Sequence, residues 1–243
     1  MDREKTSAEV HELRRLSDLI TVTETDSGIK GIIFDYGGTL DSRGDHWSHI
    51  ILDAYRDSGI DITTDDFKKA YVYAERALEV HGIISPDDNF LRVMEKKISL
   101  QFKYLRDNMT PWIILAEACM EQKSASIARY CHEYARTCVN ETKTTLETLS
   151  ERYPLVMVSN FYGNLPAVLS DFGIDNFFSS VIESARVGIR KPDPAIFRLA
   201  IEALSLKGNE TLVVGDSMKN DIRPALSLGC RVAHLPGREW PPE

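Results

Sequence analysis

Long apolar runs are missing from this sequence. No stretch approaches the roughly 20 apolar residues that a membrane-spanning helix needs, and the charged N-terminal segment lacks the apolar core of a secretory signal. The four cysteines form no CxxC pair and have no partnered histidine spacing, so we expect buried reduced thiols rather than a zinc site. These absences predict a cytoplasmic protein with no membrane partner.

Positive charge is also scarce. The chain has 29 Lys and Arg residues against 37 Asp and Glu residues, a formal net charge of −8. Broad binding to nucleic acid depends on excess positive charge, so this balance argues against a nucleic-acid partner. A small anionic substrate stays possible, because a metal ion or a lysine can reverse the field inside one cleft.

Short apolar segments alternate with helical patterns in the last third of the chain. With 243 residues, 43% hydrophobic and 27% charged, the composition is that of a globular protein. We predict strands over 29–34, 155–158, 177–182, 211–214 and 231–235, and helices over 165–172, 194–204 and 222–228. This alternation predicts an α/β fold with a Rossmann-like, doubly wound parallel sheet.

Two regions fall outside that alternation. Residues 43–140 show helical spacing and no convincing strand, and the pattern predicts about five helices. We therefore predict an α/β core over 29–42 and 141–243 with an inserted all-α domain over 43–140. Residues 1–28 are predicted to form a helical extension, from the spacing of Ala8, Val10, Leu13, Leu16, Leu19 and Ile20.

Polar residues follow the predicted strands where ligands bind in a parallel sheet, beyond the carboxyl ends. Asp35 follows the first core strand, Ser159 ends the second, and Asp216 follows a later one, with Asp221 close behind it and Lys191 in a loop between them. Carboxylates can hold a hard divalent cation such as Mg²⁺, which favours oxygen ligands and substrate phosphate. The lysine and the hydroxyl can bind the remaining phosphate oxygens.

Four segments in order resemble the motifs of the haloacid dehalogenase-like (HAD) hydrolase superfamily. They are residues 34–40 (FDYGGTL), 158–160 (VSN), 188–194 (GIRKPDP) and 215–221 (GDSMKND). Each follows its expected strand or helix, and the helical insertion after the first resembles the cap domain of the C1 subgroup. The resemblance covers about 29–236 and implies a Mg²⁺-dependent hydrolase that acts on a small phosphorylated substrate.

The resemblance also implies roles for individual residues. Asp35 would attack phosphorus and form an aspartyl-phosphate. One oxygen of Asp35, the backbone carbonyl of Gly37 and Asp216 would hold Mg²⁺, with Asp221 as a further acid of the metal site that orients waters or Lys191.

The phosphoryl group has its own set of implied contacts. Ser159 would donate to a phosphoryl oxygen, and Lys191 would offset the charge of the nucleophile and the transferred group. Gly38, Thr39 and Asn160 are expected in the same phosphate site, with Thr39 also fixing the nucleophile loop. For His46 and His49, which follow this loop, surface or cap packing is favoured over substrate contact.

The sequence departs from the family pattern at one position. Phosphatases of the family usually carry a second aspartate two residues after the nucleophile, and this chain has Gly37 there. General acid–base catalysis is worth about 10²–10⁴-fold, so the metal site is predicted intact while proton transfer is weakened.

Three functions follow from this departure. The first is a phosphatase that takes its proton from the cap or from water, or does not need one. The second is a phosphonate-cleaving enzyme that uses a cap lysine as a Schiff base, whose candidates are Lys68, Lys69, Lys96, Lys97 and Lys103. The third is a phosphate-binding or regulatory protein with weak or no catalysis. Dehalogenation is less favoured, because the complete acidic motif at residues 215–221 suits a metal.

Overall fold

In the described part of the chain, six parallel strands form one sheet. The computed structural model describes residues 10–80, 82–108 and 117–241. The strands are β1 (Val10–Glu12), β2 (Gly31–Phe34), β3 (Leu155–Ser159), β4 (Ser180–Glu183), β5 (Thr211–Gly215) and β6 (Arg231–His234). Their order is β1-β6-β5-β2-β3-β4, and all pairs are parallel. The predicted Rossmann-like α/β fold is confirmed.

The helices connect the strands and build the insertion. They are α1 (Asp18–Thr25), α2 (Trp47–Asp57), α3 (Thr64–Val80), α4 (Phe90–Asn108), α5 (Glu117–Ser150), α6 (Leu165–Asp171), α7 (Ser184–Val187), α8 (Ala195–Leu204) and α9 (Arg223–Ser227). A π-helical turn over Met218–Ile222 leads into α9.

Successive strand residues pack into different cores. In β2, Ile33 belongs to one apolar cluster, whereas Ile32 and Phe34 belong to another. Side chains alternate across a strand, so the two clusters lie on opposite faces of the sheet. Burial on both faces explains the continuous apolar strands of the sequence.

The prediction of a short helix over the apolar positions from Ala8 to Ile20 is wrong for part of the described residues. Val10–Glu12 pairs in parallel with β6, and the helix begins only at Asp18. The near-helical spacing arises because Val10 packs on one core and Leu13, Leu16 and Leu19 on the other. Ala8 lies outside the described residues.

The strand predicted over residues 177–182 begins later. Asp175–Phe177 forms a 3₁₀ turn, and the strand runs over Ser180–Glu183. The aromatic pair at the start of the predicted strand packs against the larger core from this turn. Ser179 then donates from its backbone to Leu155 O at 2.8 Å, which starts the ladder with β3.

The insertion contains four described helices, α2 to α5, against about five predicted, with residues 109–116 undescribed. Buried aromatic contacts join them, and the hydroxyl of Tyr55 on α2 donates to Gln101 Oε1 on α4 at 2.9 Å. Helix α5 has 34 residues and leads directly back to β3. The predicted boundary at residue 140 therefore lies inside one continuous helix and stays a prediction.

The four cysteines are free thiols. Cys131, Cys138 and Cys230 are buried, and Cys119 is partly exposed. Burial raises the pKa of Cys131 to about 12, so this thiol stays protonated at neutral pH and packs as a small apolar group.

Candidate active site

Three neighbouring strands bring the predicted acids together. Asp35 follows β2, Ser159 ends β3, and Asp216 follows β5, and these strands lie side by side. Carboxylate oxygens of Asp35, Asp216 and Asp221 all lie within 4.8 Å of one another. The carboxyl edge of the sheet therefore concentrates negative charge, as the sequence predicts.

Lys191 lies among these acids. Its Nζ atom is 2.6 Å from Asp35 Oδ1 and 2.7 Å from Asp221 Oδ1, and its side chain is 4% exposed. Burial lowers the pKa of Lys191, but the carboxylates of Asp221 and Asp35 outweigh burial and raise it. The lysine is thus a fixed cation next to the predicted nucleophile.

One ammonium does not neutralise three carboxylates. Burial and repulsion from Asp35 and Asp221 raise the pKa of Asp216 well above its ordinary range. Burial also raises the pKa of Asp221 to about 6, although Lys191 partly offsets it. A divalent cation among these oxygens would relieve the repulsion, so the residues fit Mg²⁺.

The two acidic strand ends are joined by a hydroxyl. Thr39 Oγ1 lies 3.0 Å from Asp35 Oδ2 and 3.2 Å from Asp216 Oδ1. The loop approaches Asp216 closely at Gly38, which has φ +98°, and a Cβ there would lie 2.5 Å from the Asp216 carboxylate. Glycine at position 38 is therefore required by the backbone conformation and by the approach to Asp216.

Ser159 and Asn160 have different partners. The hydroxyl of Ser159 donates to Asp35 Oδ1 at 3.3 Å. The side-chain amide of Asn160 binds the backbone of Lys191 twice, donating to its carbonyl at 3.0 Å and accepting from its N–H at 2.9 Å. Asn160 is engaged in holding the lysine loop, and we infer that it positions Lys191 rather than binding phosphate.

The space at Gly37 is open. A Cβ on Gly37 would meet no heavy atom within 4 Å. The residue lines a cavity of about 270 Å³ under the inserted helices and a larger cleft of about 690 Å³ that contains Asp35 and Lys191. Glycine here leaves room inside the site rather than meeting a packing demand.

Asp41 is a residue of this site that the sequence motifs did not indicate. Its buried carboxylate accepts from Gly38 N at 2.8 Å and from the indole of Trp47 at 2.9 Å, so it ties the nucleophile loop to α2. An acid six residues after Asp35, within the loop that follows the strand, was the available signal.

A buried ion pair in the insertion was also missed. Lys97 on α4 lies 2.7 Å from Glu75 on α3, and its side chain is 6% exposed. Both residues line the 270 Å³ cavity together with Gly37 and Asp216. No sequence pattern distinguishes Lys97 from the other lysines of the insertion, because its position in the cavity depends on how α3 and α4 pack.

His46 and His49 differ in their surroundings. His46 caps α2, accepting from Ser48 N through its side chain, and it lines both cavities. Burial lowers the pKa of His46 to about 4. His49 lies away from these cavities, with its Nε2 2.8 Å from the carbonyl of Glu239. His49 therefore has a packing role away from the site, whereas His46 both packs and faces the cavity.

The C-terminal segment closes one side of the larger cleft. The ring of Trp240 stacks on Tyr71 of α3 with centroids 5.0 Å apart and lies 5.4 Å from His46. Arg238 binds Asp45 and Asp53, which fixes the segment beside α2.

A parallel α/β sheet with three acids and a lysine at its carboxyl edge is typical of enzymes that bind ligands beyond the strand ends. A model of the haloacid dehalogenase-like hydrolases matches residues 29–229. The chain therefore belongs to the haloacid dehalogenase-like hydrolase family. Over the described ranges, no helix has both the length and the apolar character to cross a membrane.

Several characterised proteins are similar to parts of the chain. A phosphoglycolate phosphatase of Pectobacterium atrosepticum is 38% identical over 93 residues, covering 37% of this chain and 39% of that protein. One of Pasteurella multocida is 35% identical over 123 residues, covering 47% and 54%. A phosphoserine phosphatase of Thermus thermophilus is 42% identical over 59 residues, covering 24% of each. The matches thus span about half or less of these relatives.

Solved structures share the fold over nearly the whole chain. A haloacid dehalogenase-like hydrolase of Xanthomonas campestris has a TM-score of 0.56 at 15% identity and covers 86% of this chain and 82% of its own. The HAD-hydrolase YfnB of Bacillus subtilis, bound to magnesium, has a TM-score of 0.52 at 21% identity and covers 85% and 88%. At these identities the likeness is one of fold alone.

Proposed function

We propose that this protein is a Mg²⁺-dependent phosphatase that hydrolyses a small phosphorylated molecule through an aspartyl-phosphate on Asp35. The observation that carries the proposal is the environment of Asp35. Its buried carboxylate lies within hydrogen-bond distance of Lys191, Ser159 and Thr39, at the edge of the sheet where Asp216 also lies. The names of the phosphatase relatives support activity on phosphate esters.

Asp35, Asp216 and the backbone carbonyl of Gly37 are the proposed ligands of the metal ion. When bound, Mg²⁺ reduces the repulsion between the Asp35 carboxylate and a phosphate dianion. Both oxygens of Asp221 already have donors, from Lys191 Nζ at 2.7 Å and Ser217 N at 3.1 Å. We therefore propose that Asp221 orients Lys191 and adds negative charge to the metal site.

The reaction has two displacements. An oxygen of Asp35 forms a bond to phosphorus while the bond from phosphorus to the leaving oxygen breaks, and that oxygen takes up a proton. A water molecule then attacks the aspartyl-phosphate, which releases phosphate and regenerates the carboxylate. Lys191 and the hydroxyl of Ser159 stabilise the charge on the phosphoryl oxygens in both steps.

Gly37 sets the limit on the first step. Glycine has no side chain that could donate a proton, so the leaving oxygen receives one from water or from a cavity residue, or leaves as a stable anion. Because general acid catalysis contributes about 10²–10⁴-fold, we expect slow turnover of alkyl phosphates and faster turnover of aryl or acyl phosphates.

Phosphonate cleavage is a weaker proposal. Of the five candidate lysines, Lys97 lines the cavity with Gly37. A Schiff base requires the neutral amine, but the Glu75 carboxylate outweighs burial and raises the pKa of Lys97. The ion pair therefore disfavours the amine that this chemistry requires.

The test is Mg²⁺-dependent release of nitrophenol from p-nitrophenyl phosphate. We expect turnover that excess chelator stops and added Mg²⁺ restores, and no turnover by Asp35→Asn. Asp61→Asn, an exposed acid between α2 and α3, is the matched control and should keep wild-type activity. Phosphate binding without turnover of any phosphate ester would favour the regulatory alternative, and activity in excess chelator would reject the metal.

A further inference from the structure

The 270 Å³ cavity extends from the acidic site into the inserted helices. Gly37, Gly38 and Asp216 line its floor, and Tyr71, Glu75, Lys97 and Tyr162 are among the residues of its wall. If a phosphoryl group binds at Asp35, as the proposed function requires, the organic part of the substrate extends into this cavity. The side chains of the wall therefore set which leaving group fits.

The basic residues of this wall already have acidic partners. Among the described lining residues, Lys97 pairs with Glu75 at 2.7 Å, and Arg190 pairs with Glu79. His46 adds no charge at neutral pH, since burial lowers its pKa to about 4. A carboxylate on the leaving group would find no uncompensated cation among these residues.

The Lys97–Glu75 pair nevertheless has free hydrogen-bonding capacity. Glu75 Oε2 accepts from the hydroxyl of Tyr162 at 2.5 Å, and the buried Oε1 lies 2.7 Å from Lys97 Nζ. An ammonium has three N–H donors, and the described contacts of Lys97 are this carboxylate and two aromatic rings. A donor and an acceptor thus lie side by side.

Aromatic faces complete the arrangement. The rings of Tyr71 and Tyr162 lie 5.8 and 5.5 Å from Lys97 Nζ, and Phe161 lies 5.2 Å from Tyr162 between centroids. A hydroxyl both donates and accepts, so it can bridge Lys97 and Glu75, while C–H groups of the same molecule pack on the rings. A polyol or sugar has both features in one small molecule.

We propose that, among alkyl phosphates, the cavity selects a hydroxylated leaving group that carries no carboxylate, so that the substrate class is sugar or polyol monophosphates, with Lys97 and Glu75 hydrogen-bonding the hydroxyls. The inference rests on the proposed phosphatase function. It excludes as preferred substrates those phosphate esters whose organic part carries a carboxylate.

The experiment compares kcat/KM for sorbitol 6-phosphate, phosphoglycolate and p-nitrophenyl phosphate with Mg²⁺ present. We expect the wild-type protein to prefer the polyol phosphate to phosphoglycolate by about tenfold or more. Lys97→Met should lower the ratio of polyol to aryl phosphate activity about tenfold or more, since it removes a charged hydrogen-bond donor. Lys96→Met is the matched control, because Lys96 is adjacent but pairs with Asp88 away from the cavity.

The variant Glu75→Gln distinguishes a change in substrate recognition from a folding defect. The substitution keeps the shape of the side chain and leaves the Lys97 charge uncompensated, so we expect phosphoglycolate turnover to rise while polyol phosphate turnover falls. A folding defect cannot produce that gain. Preference of the wild type for phosphoglycolate, or equal effects of Lys97→Met and Lys96→Met, would overturn this inference alone. Absence of aryl phosphate turnover in the wild type would reject the phosphatase function itself.

Discussion

The ammonium of Lys191 lies 2.6 Å from Oδ1 of Asp35, although 156 residues separate them in the chain. The contact exists because β2 and β3 are neighbours and the loop of Lys191 is held against the end of β3 by Asn160. The proposed nucleophile and its countercharge are thus assembled by the order of the strands.

Lys191→Met is predicted to lower kcat by about 10²–10³-fold, because a fixed positive charge beside the transferred phosphoryl group is lost. Without Mg²⁺ the variant should also be less stable at pH 8, since the carboxylates of Asp35 and Asp221 lose their shared cation. Urea unfolding and steady-state kinetics measure both effects. Lys103→Met, an exposed lysine of α4, is the control, and equal losses in the two variants would reject the role of Lys191.

Mg²⁺ is predicted to stabilise the folded protein independently of catalysis. At a concentration about 100-fold above Kd, the free energy of unfolding should rise by about 3 kcal/mol. Asp216→Asn should lose most of this increase, and thermal unfolding with and without Mg²⁺ measures it. An undiminished Mg²⁺ effect in the variant would show that Asp216 does not bind the metal ion.

The same variant has the opposite effect when metal is absent. The pKa of Asp216 is raised on folding, so its ionised form destabilises the folded state as pH rises from about 4 upward. Asp216→Asn removes that penalty. We therefore expect the metal-free variant to be more stable than the metal-free wild type at pH 8, and a less stable variant would contradict the repulsion described here.

Gly37→Asp is predicted to increase turnover of alkyl phosphates by about 10–100-fold, because it adds a general acid. The open space around position 37 leaves room for the added side chain. Gly38→Ala is the contrasting control, because its Cβ would lie 2.5 Å from the Asp216 carboxylate at a backbone φ of +98°. If Gly37→Asp folds and binds Mg²⁺ but gains no activity, a proton donor is not what the site lacks.

His46 is predicted to contribute to the loss of folding stability at acidic pH. Its pKa is about 4 in the folded protein, against an ordinary value of 6.5, so stability falls as pH drops from 6.5 towards 4. Because the side chain is partly exposed, we expect a contribution of about 1–2 kcal/mol. Urea unfolding of His46→Gln should show a shallower decline over this pH range than the wild type. Parallel declines would contradict the prediction.

The sequence was most informative where burial is complete. Strands β2, β3 and β5 are buried throughout, are mostly apolar and lead to residues of the site, so both the sheet and its carboxyl edge could be predicted. Asp35, Ser159, Lys191 and Asp216 were found by this reasoning because each follows a strand or lies in a loop between strands.

The edge strand of the sheet and the contacts between helices were harder to predict from the sequence. The three residues of β1 form a strand only because β6 offers a free edge, which no local pattern shows. Phe177 and Phe178 have the composition of a strand, but they pack on the core from a turn. The meeting of Lys97 with Glu75 depends on the contact between two helices, so spacing along the chain could not identify it.

The central claim is that Asp35 becomes phosphorylated during turnover. The protein should be mixed with acetyl phosphate and Mg²⁺, quenched in acid, digested and analysed by mass spectrometry. We predict one phosphoryl group on the peptide that contains Asp35, released by hydroxylamine and absent from Asp35→Asn. Rapid hydrolysis of acetyl phosphate with no trapped phosphoryl group, or turnover that persists in Asp35→Asn, would contradict the account.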